Sequence, residues 1–202
     1  MLDIELDGLT YLPRFLTPGA EAEFLHQIDE LPWTSELTRR TQQDGYRYVY
    51  GSRSLNSDDW LGPLPKWGDE LAGRLSAEGW MEKPDQLIVN EYDNDRVAKD
   101  GKRRSQGILP HVDAAGFGPT IISISLGSAW KMTFINVENG TEKSLLLERG
   151  SLLVLAGAAR LDWKHGIRPR KYEVIDGHRV LRRRRVSMTL RTVSHASRSV
   201  GP

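Results

Sequence analysis

From residue 86 to residue 193 the apolar side chains recur with a period of two, in short runs. The strand candidates are 86–92, 109–113, 120–127, 129–137, 143–147, 151–156 and 184–193, each set off by glycine, asparagine or charged turn residues. Seven such strands at close spacing predict an antiparallel sandwich or jelly roll. A strand Leu9–Leu12 and two helices precede them, so the fold class is α+β, mainly β. Thr17-Pro18 reads as an N-cap followed by proline at the first helical turn. Phe24, Leu25, Ile28 and Leu31 form one apolar face until Pro32 stops that helix. The second helix covers 67–78, with Trp67, Leu71 and Leu75 on one side. Between the helices, 39–56 reads as an extended hairpin with Tyr46, Tyr48 and Tyr50 alternating onto one face. The 202 residues suffice for one domain with its own core. The expected division is 1–80 for the N-terminal part, 86–193 for the strand-built core and 194–202 for a flexible tail. Residues 93–107 form a polar, basic loop within the core.

Composition narrows the chemistry. There is no cysteine, which excludes disulfides, thiolate metal sites, iron–sulfur clusters and a cysteine nucleophile. Any metal must be held by imidazole and carboxylate, from five histidines. The longest apolar runs fall short of a membrane span, and the N-terminus lacks the pattern of a signal peptide. The cytoplasm is the default compartment, and nothing calls for more than a monomer. The net charge of +1 hides an asymmetry: residues 1–38 hold eight acids against Arg14, whereas 160–191 hold eleven Arg or Lys against three acids. A basic surface opposite an acidic one suits a polyanion; scattered solvated charges are the bland alternative.

The central chemical signal is His111-Val112-Asp113. Residues i and i+2 of an extended strand share a face, so His111 and Asp113 can reach one metal. His165, in Trp163-Lys164-His165-Gly166, is the candidate third ligand. Two histidines and a carboxylate leave positions open on the metal, which fits non-haem Fe(II) that must hold a chelating co-substrate and O₂. Many His-x-Asp triplets are surface loops, and His26, His178 and His195 have bland readings on a helix, in a turn and in the tail. The strand Arg185–Arg191 sets Arg185, Ser187, Thr189 and Arg191 on one face and Val186, Met188 and Leu190 on the other. Such a polar face belongs either to a sheet with one solvated side or to a barrel interior that binds a dicarboxylate through its arginines. Asn90 and Tyr92 share a face in the same way and offer an amide and a phenol to a small anion.

These pieces together resemble the AlkB-like 2-oxoglutarate- and Fe(II)-dependent dioxygenases. The resemblance is carried by Asn90-x-Tyr92, His111-x-Asp113, Ser123-Ile-Ser-Leu-Gly127, Arg149-Gly-Ser-Leu-Leu-Val154, Arg160-x4-His165-Gly166-Ile167 and Arg185-x5-Arg191. Leu12-Pro-x-Phe15-Leu16, Leu31-Pro32-Trp33 and Gly45-Tyr46-x-Tyr48 are similar to the family's N-terminal region. The resemblance implies a double-stranded β-helix (jelly-roll) core with N-terminal helices and a substrate-lid hairpin for nucleotide recognition. It implies that His111, Asp113 and His165 ligate Fe(II), and that Arg185 pairs with the distal carboxylate of 2-oxoglutarate, assisted by Asn90 and Tyr92. Arg191 is expected near the metal-bound end, with Ser187 where several relatives carry asparagine. Tyr46, Tyr48 and Arg160 are expected on the substrate side, and Ala115 replaces an acidic residue that some members use for base contact. The implied activity is oxidative dealkylation of N-methylated bases in DNA or RNA, releasing formaldehyde, succinate and CO₂. The alternatives are a hydroxylase or demethylase of a protein side chain or small molecule, and a nucleic-acid-binding module without catalysis.

Overall fold

The computed structural model describes residues 4–35, 37–49, 59–97 and 101–194. The expectations placed on Tyr50, on 51–56 of the hairpin, on 98–100 of the polar loop and on 195–202 of the tail lie outside those residues. In chain order the elements are β1 (Leu9–Leu12), α1 (Pro18–Asp29), β2 (Arg40–Tyr46), β3 (Trp60–Gly62), α2 (Lys66–Ala77), β4 (Gln86–Tyr92), β5 (Arg96–Val97) and β6 (Arg103–Arg104). They continue with β7 (Ile108–His111), β8 (Ile121–Gly127), β9 (Trp130–Asn136), β10 (Glu142–Leu147), β11 (Ser151–Leu155) and α3 (Gly157–Leu161). The last four are β12 (Trp163–Ile167), β13 (Tyr172–Ile175), β14 (His178–Leu181) and β15 (Arg185–Arg191).

Seven strands form the major sheet in the order β1-β11-β8-β15-β4-β2-β3, and four form the minor sheet in the order β10-β9-β12-β7. Their pairing is antiparallel throughout, as in the expected jelly roll. Alternation along β15 resolves the question of its polar face. Val186, Met188 and Leu190 turn outward and are buried against α1 and α2, among Ile28, Leu71 and Leu75. Arg185, Ser187 and Arg191 turn inward between the sheets and are buried too. Each apolar side chain fully buried on the helix-covered face contributes about 1.5–3 kcal/mol. That burial offsets the cost of a polar interior on the other face. The helices begin as expected: Thr17 Oγ1 accepts from Ala20 N at 3.2 Å, and the Phe24 ring meets Trp67 edge-on at 5.9 Å.

Three expectations change. The strand alternation of the tyrosine hairpin stops early: β2 ends at Tyr46, and Tyr48 follows beyond it. Gly45 causes the break, with a φ of +76° and a backbone so close to Asp85 that a Cβ would stand 1.9 Å from its carbonyl oxygen. The register slips there, between Gly45 and Tyr46, as at a bulge. Second, β12, β13 and β14 extend the strand inventory across 163–181, which reads in sequence as basic and polar. Third, much of the positive charge counted in 160–191 is buried or paired with acids. Arg182 is buried, donates to Glu173 at 2.8 Å and lies over the Trp130 ring at 4.3 Å. Arg184 bridges Glu91 and Asp29, and Arg168 pairs with Glu142. The loop 93–107 carries the β5–β6 ribbon, closed at its base where Gln106 N donates to the Asp93 carbonyl and Gln106 Oε1 accepts from Asp93 N, both at 2.8 Å.

Candidate functional site

The minor sheet brings the metal-binding candidates together. In the β7–β12 ladder His165 is the direct partner of His111, and their rings lie 4.5 Å apart. Asp113, two residues past the end of β7, completes a group whose ligand atoms lie within 4.8 Å of one another. Gly166 permits this approach, because a Cβ there would stand 2.8 Å from the Ile108 carbonyl oxygen. His111 Nδ1 is 2.8 Å from the Leu109 carbonyl oxygen. That contact needs a proton on Nδ1 and so leaves the Nε2 lone pair for a ligand role.

Electrostatics prepare the same group. Burial lowers the pKa of His111 and pushes that of His165 down to about 4, so both imidazoles are neutral at pH 7. Burial alone raises that of Asp113, but Arg191 above all, followed by the histidines and Arg160, holds it well below the usual carboxylate range. Arg191 Nη2 lies 2.7 Å from Asp113 Oδ1, and Arg191 Nη1 donates to Gln86 Oε1 at 3.1 Å. The other carboxylate oxygen, Oδ2, and His165 Nδ1 are buried without a hydrogen-bond partner among the described residues. Two neutral imidazoles and an ionised carboxylate with orphaned donor atoms fit a divalent ion such as Fe(II).

Next to the triad, a narrow cavity runs between the sheets to Arg185, past Asn90, Tyr92, Ser187 and Arg191. Register explains the grouping: Arg185 stands opposite Tyr92, and Ser187 opposite Asn90. Arg185 is 1% exposed. It donates from Nη2 to Ser125 Oγ at 2.8 Å, lies over the Tyr92 ring at 5.3 Å, and leaves Nε unpaired. Among the described residues no carboxylate forms an ion pair with it, and burial lowers its pKa to about 10. A charged guanidinium buried in this way is costly unless an anion joins it. The pocket therefore fits a carboxylate at its closed end.

The substrate-side candidates have different surroundings. Tyr48 packs on Phe117 at 5.5 Å and lines the mouth above His111. The Tyr46 and Trp60 rings lie 4.9 Å apart at 59° to each other, at the end of β2. Arg160 is buried, and its guanidinium donates to the carbonyls of Asp113 and Ala114 at 3.2 and 2.9 Å. Those contacts hold the turn that carries Asp113. Arg39 was missed in the sequence. It is buried at the mouth and donates from Nε to Asn90 Oδ1 at 2.7 Å. Ser125 and Gln86 were missed too, although strand alternation and the pairing with β15 would have placed both on the inner face.

A family model described as the 2OG-Fe(II) oxygenase superfamily matches residues 8–191. The Alkylated DNA repair protein ALKBH8 homolog of Arabidopsis thaliana is 32% identical over 221 residues, covering 96% of this chain and 61% of that protein. The tRNA (carboxymethyluridine(34)-5-O)-methyltransferase ALKBH8 of Mus musculus is 38% identical over 181 residues, covering 83% of this chain and 25% of that protein. This chain thus spans between a quarter and about three fifths of these two relatives. The structure of OsALKBH1 matches with a TM-score of 0.65 and 18% identity, over 95% of this chain and 100% of that one, a likeness of fold. No helix among the described residues is long and apolar enough to cross a membrane. With the matched family spanning nearly the whole jelly roll and the triad in its centre, the chain belongs to the 2OG-Fe(II) oxygenase superfamily, as an AlkB-like dioxygenase that uses Fe(II), 2-oxoglutarate and O₂.

Proposed function

We propose that this dioxygenase removes N-linked methyl groups from bases in nucleic acid, converting 2-oxoglutarate to succinate and CO₂ and releasing formaldehyde. The observation that carries the reading is the mouth of the site. A cavity of about 440 Å³ opens over His111 and Asp113, between Leu37, Tyr48, Ile108 and Leu109. Tyr48, backed by Phe117, gives it an aromatic wall, and Leu109, 82% exposed, gives it an apolar rim. A planar base extruded from a strand fits such a slot, and stacking on an aromatic wall returns roughly 1–3 kcal/mol of the unstacking cost. The names of the two ALKBH8 relatives, one for alkylated DNA and one for tRNA, support a nucleic-acid substrate.

The residues divide the work. His111, Asp113 and His165 would hold Fe(II), with Arg191 fixing the Asp113 carboxylate. Arg185 would receive the distal carboxylate of 2-oxoglutarate, with Asn90, Tyr92 and Ser187 along its length. Bound Fe(II) and 2-oxoglutarate would reduce O₂, one oxygen atom going to succinate and the other into the methyl C–H bond. The resulting N-hydroxymethyl group then loses formaldehyde, and the proton of its hydroxyl goes to the base nitrogen. Tyr48 holds the base plane, Tyr46 and Trp60 support the lid, and Arg160 acts indirectly through the Asp113–Ala114 backbone. No nucleophile from the protein is required.

One observation favours a second reading, oxidation of a protein side chain or small molecule. Arg160, Arg182, Arg184, Arg185 and Arg191 all face internal partners or the cavity, which reduces the basic surface offered to a polyanion. The test is incubation with Fe(II), 2-oxoglutarate, ascorbate and methylated oligonucleotides, following formaldehyde and succinate together. Matched formation of both supports demethylation of nucleic acid. Succinate that no oligonucleotide stimulates favours the second reading.

A further inference from the structure

We propose that Leu109 is a wedge: when a methylated base is extruded into the site, the Leu109 side chain enters the strand and fills the gap between the bases that flanked it. The inference rests on the nucleic-acid reading above and adds to it a residue that tells a strand from an isolated nucleotide.

Leu109, in β7, is 82% exposed, the most exposed large apolar side chain among the described residues. A lone leucine on a surface is ordinary; its place here is not. It lines the mouth together with Tyr48 and His111. An extended chain rises about 3.3 Å per residue, so Leu109 stands about 7 Å along the strand from His111, at the rim and not in the depth of the site. The backbone beneath it is held at several points. Ile108 pairs with Ile167 and His111 with His165, and the Leu109 carbonyl oxygen lies 2.8 Å from His111 Nδ1. Glycines let β7 and β12 approach closely on both sides of it. A Cβ on Gly107 would stand 2.3 Å from the Ile167 carbonyl oxygen, and one on Gly166 would stand 2.8 Å from that of Ile108 and from the Pro110 nitrogen. A rigid apolar projection loses little freedom on insertion, which favours binding.

The chemistry of this rim favours a nucleic-acid strand over a polypeptide. β7 is an edge of the minor sheet. A polypeptide strand added there would need the N–H groups of that edge, and Pro110 has none to give. A nucleic acid makes no such demand. Extrusion of a base leaves a gap in the stack, and an apolar side chain inserted between base steps is a general way to hold a strand open. A leucine that stands out from the surface beside the base pocket has the size and the position to fill that gap.

The test uses short single-stranded oligonucleotides carrying adenine methylated at N1 or N6, or cytosine or uracil methylated at N3, and the matching nucleoside monophosphates. For the base that yields most formaldehyde, kcat/KM is compared between oligonucleotide and nucleotide. Leu109→Ala should narrow the preference for the oligonucleotide roughly tenfold, the effect of withdrawing one buried leucine side chain. Leu109→Met should keep most of that preference. The nucleotide has no flanking bases, so it reports any disturbance of His111 itself. In a second measurement, 2-aminopurine is placed next to the methylated base, and the complex with Fe(II) and 2-oxoglutarate is formed without O₂. The 2-aminopurine fluorescence should rise more with the wild type than with Leu109→Ala, because the inserted side chain keeps the flanking bases from stacking on each other. A wild type that shows no preference for the oligonucleotide, a preference that Leu109→Ala leaves unchanged, or an equal rise in fluorescence overturns the wedge while the nucleic-acid reading stands. If no methylated oligonucleotide yields formaldehyde, that reading fails and the wedge with it.

Discussion

Arg191, the last residue of β15, points a guanidinium nitrogen at Asp113 Oδ1 over 2.7 Å. The contact crosses from the major sheet to the turn that follows β7 of the minor one. It orients the carboxylate so that Oδ2 stays without a hydrogen-bond partner beside His165. Residues that orient metal ligands typically affect metal affinity by about 10–100-fold. Arg191→Met should weaken Mn(II) binding, as a redox-stable substitute for Fe(II), by that amount in isothermal titration. An unchanged affinity would remove Arg191 from the metal site.

Arg185 should show opposite effects on ligand binding and on stability. A charge-assisted contact to a carboxylate contributes about 1.5–3 kcal/mol, so Arg185→Met should weaken 2-oxoglutarate binding by roughly 10–100-fold. The ligand-free variant should melt higher than the wild type, by roughly 2–4 °C, because a buried cation without a carboxylate partner has been removed. Thermal melts with and without 2-oxoglutarate read both effects. A lower melting point would mean that Arg185 already has adequate compensation in the empty pocket.

Gly166 governs how closely β12 and β7 approach. A Cβ at this position would lie 2.8 Å from both the Ile108 carbonyl oxygen and the Pro110 nitrogen. These are backbone atoms, which cannot swing aside. Gly166→Ala should cost about 1–3 kcal/mol in chemical denaturation and should lower metal affinity roughly tenfold by moving His111 relative to His165. Full metal affinity in this variant would show that the ladder has slack.

Glu91 offers a test by pH. Burial alone raises its pKa, but the hydrogen bonds and charges of Arg40 and Arg184 outweigh burial and lower it below 4.5. A carboxyl depressed in the folded state contributes stability that is complete above the unfolded pKa and is lost as pH falls through the folded one. Glu91→Gln should therefore cost about 1–3 kcal/mol at pH 7, discounted because Arg40 and Arg184 are 33% and 37% exposed. The difference from wild type should shrink steadily below pH 4.5. A difference constant from pH 7 to pH 3 would contradict the ion-pair account.

Strand alternation made much of the architecture legible. Candidates such as 86–92 and 120–127 fall within a residue of β4 and β8, because both faces of these strands are buried and their side-chain pattern has no freedom to drift. It failed where a strand is short or charged: β12 carries Lys164 and Gly166, and β13 alternates Glu173 with exposed Val174. Charge counting failed for a different reason. Arg184 meets Asp29 across 155 positions of sequence, so its neutralisation is a property of the fold. His111 and Asp113 were readable because two ligands lie within one extended triplet. Arg39 was not, because its partner Asn90 is separated from it by 51 positions and only the β2–β4 pairing brings them together.

The adjacency of Arg39 and Arg40 has a consequence for how this chain can change over evolutionary time. The first reaches Asn90 inside the cavity, and the second reaches Glu91 on the helix-covered side, with Nε 2.5 Å from its carboxylate. Two neighbouring residues thus straddle one strand, each committed to its own side. Gain or loss of a single amino acid between Leu37 and Thr41 would exchange those commitments, placing the cavity's arginine outside and the scaffold's arginine inside. Substitutions in this stretch can be accommodated one at a time, whereas a change of length is discontinuous. Natural variation in the lid is therefore expected to accumulate as altered side chains here, with length changes confined to the connection between Val49 and Asp59.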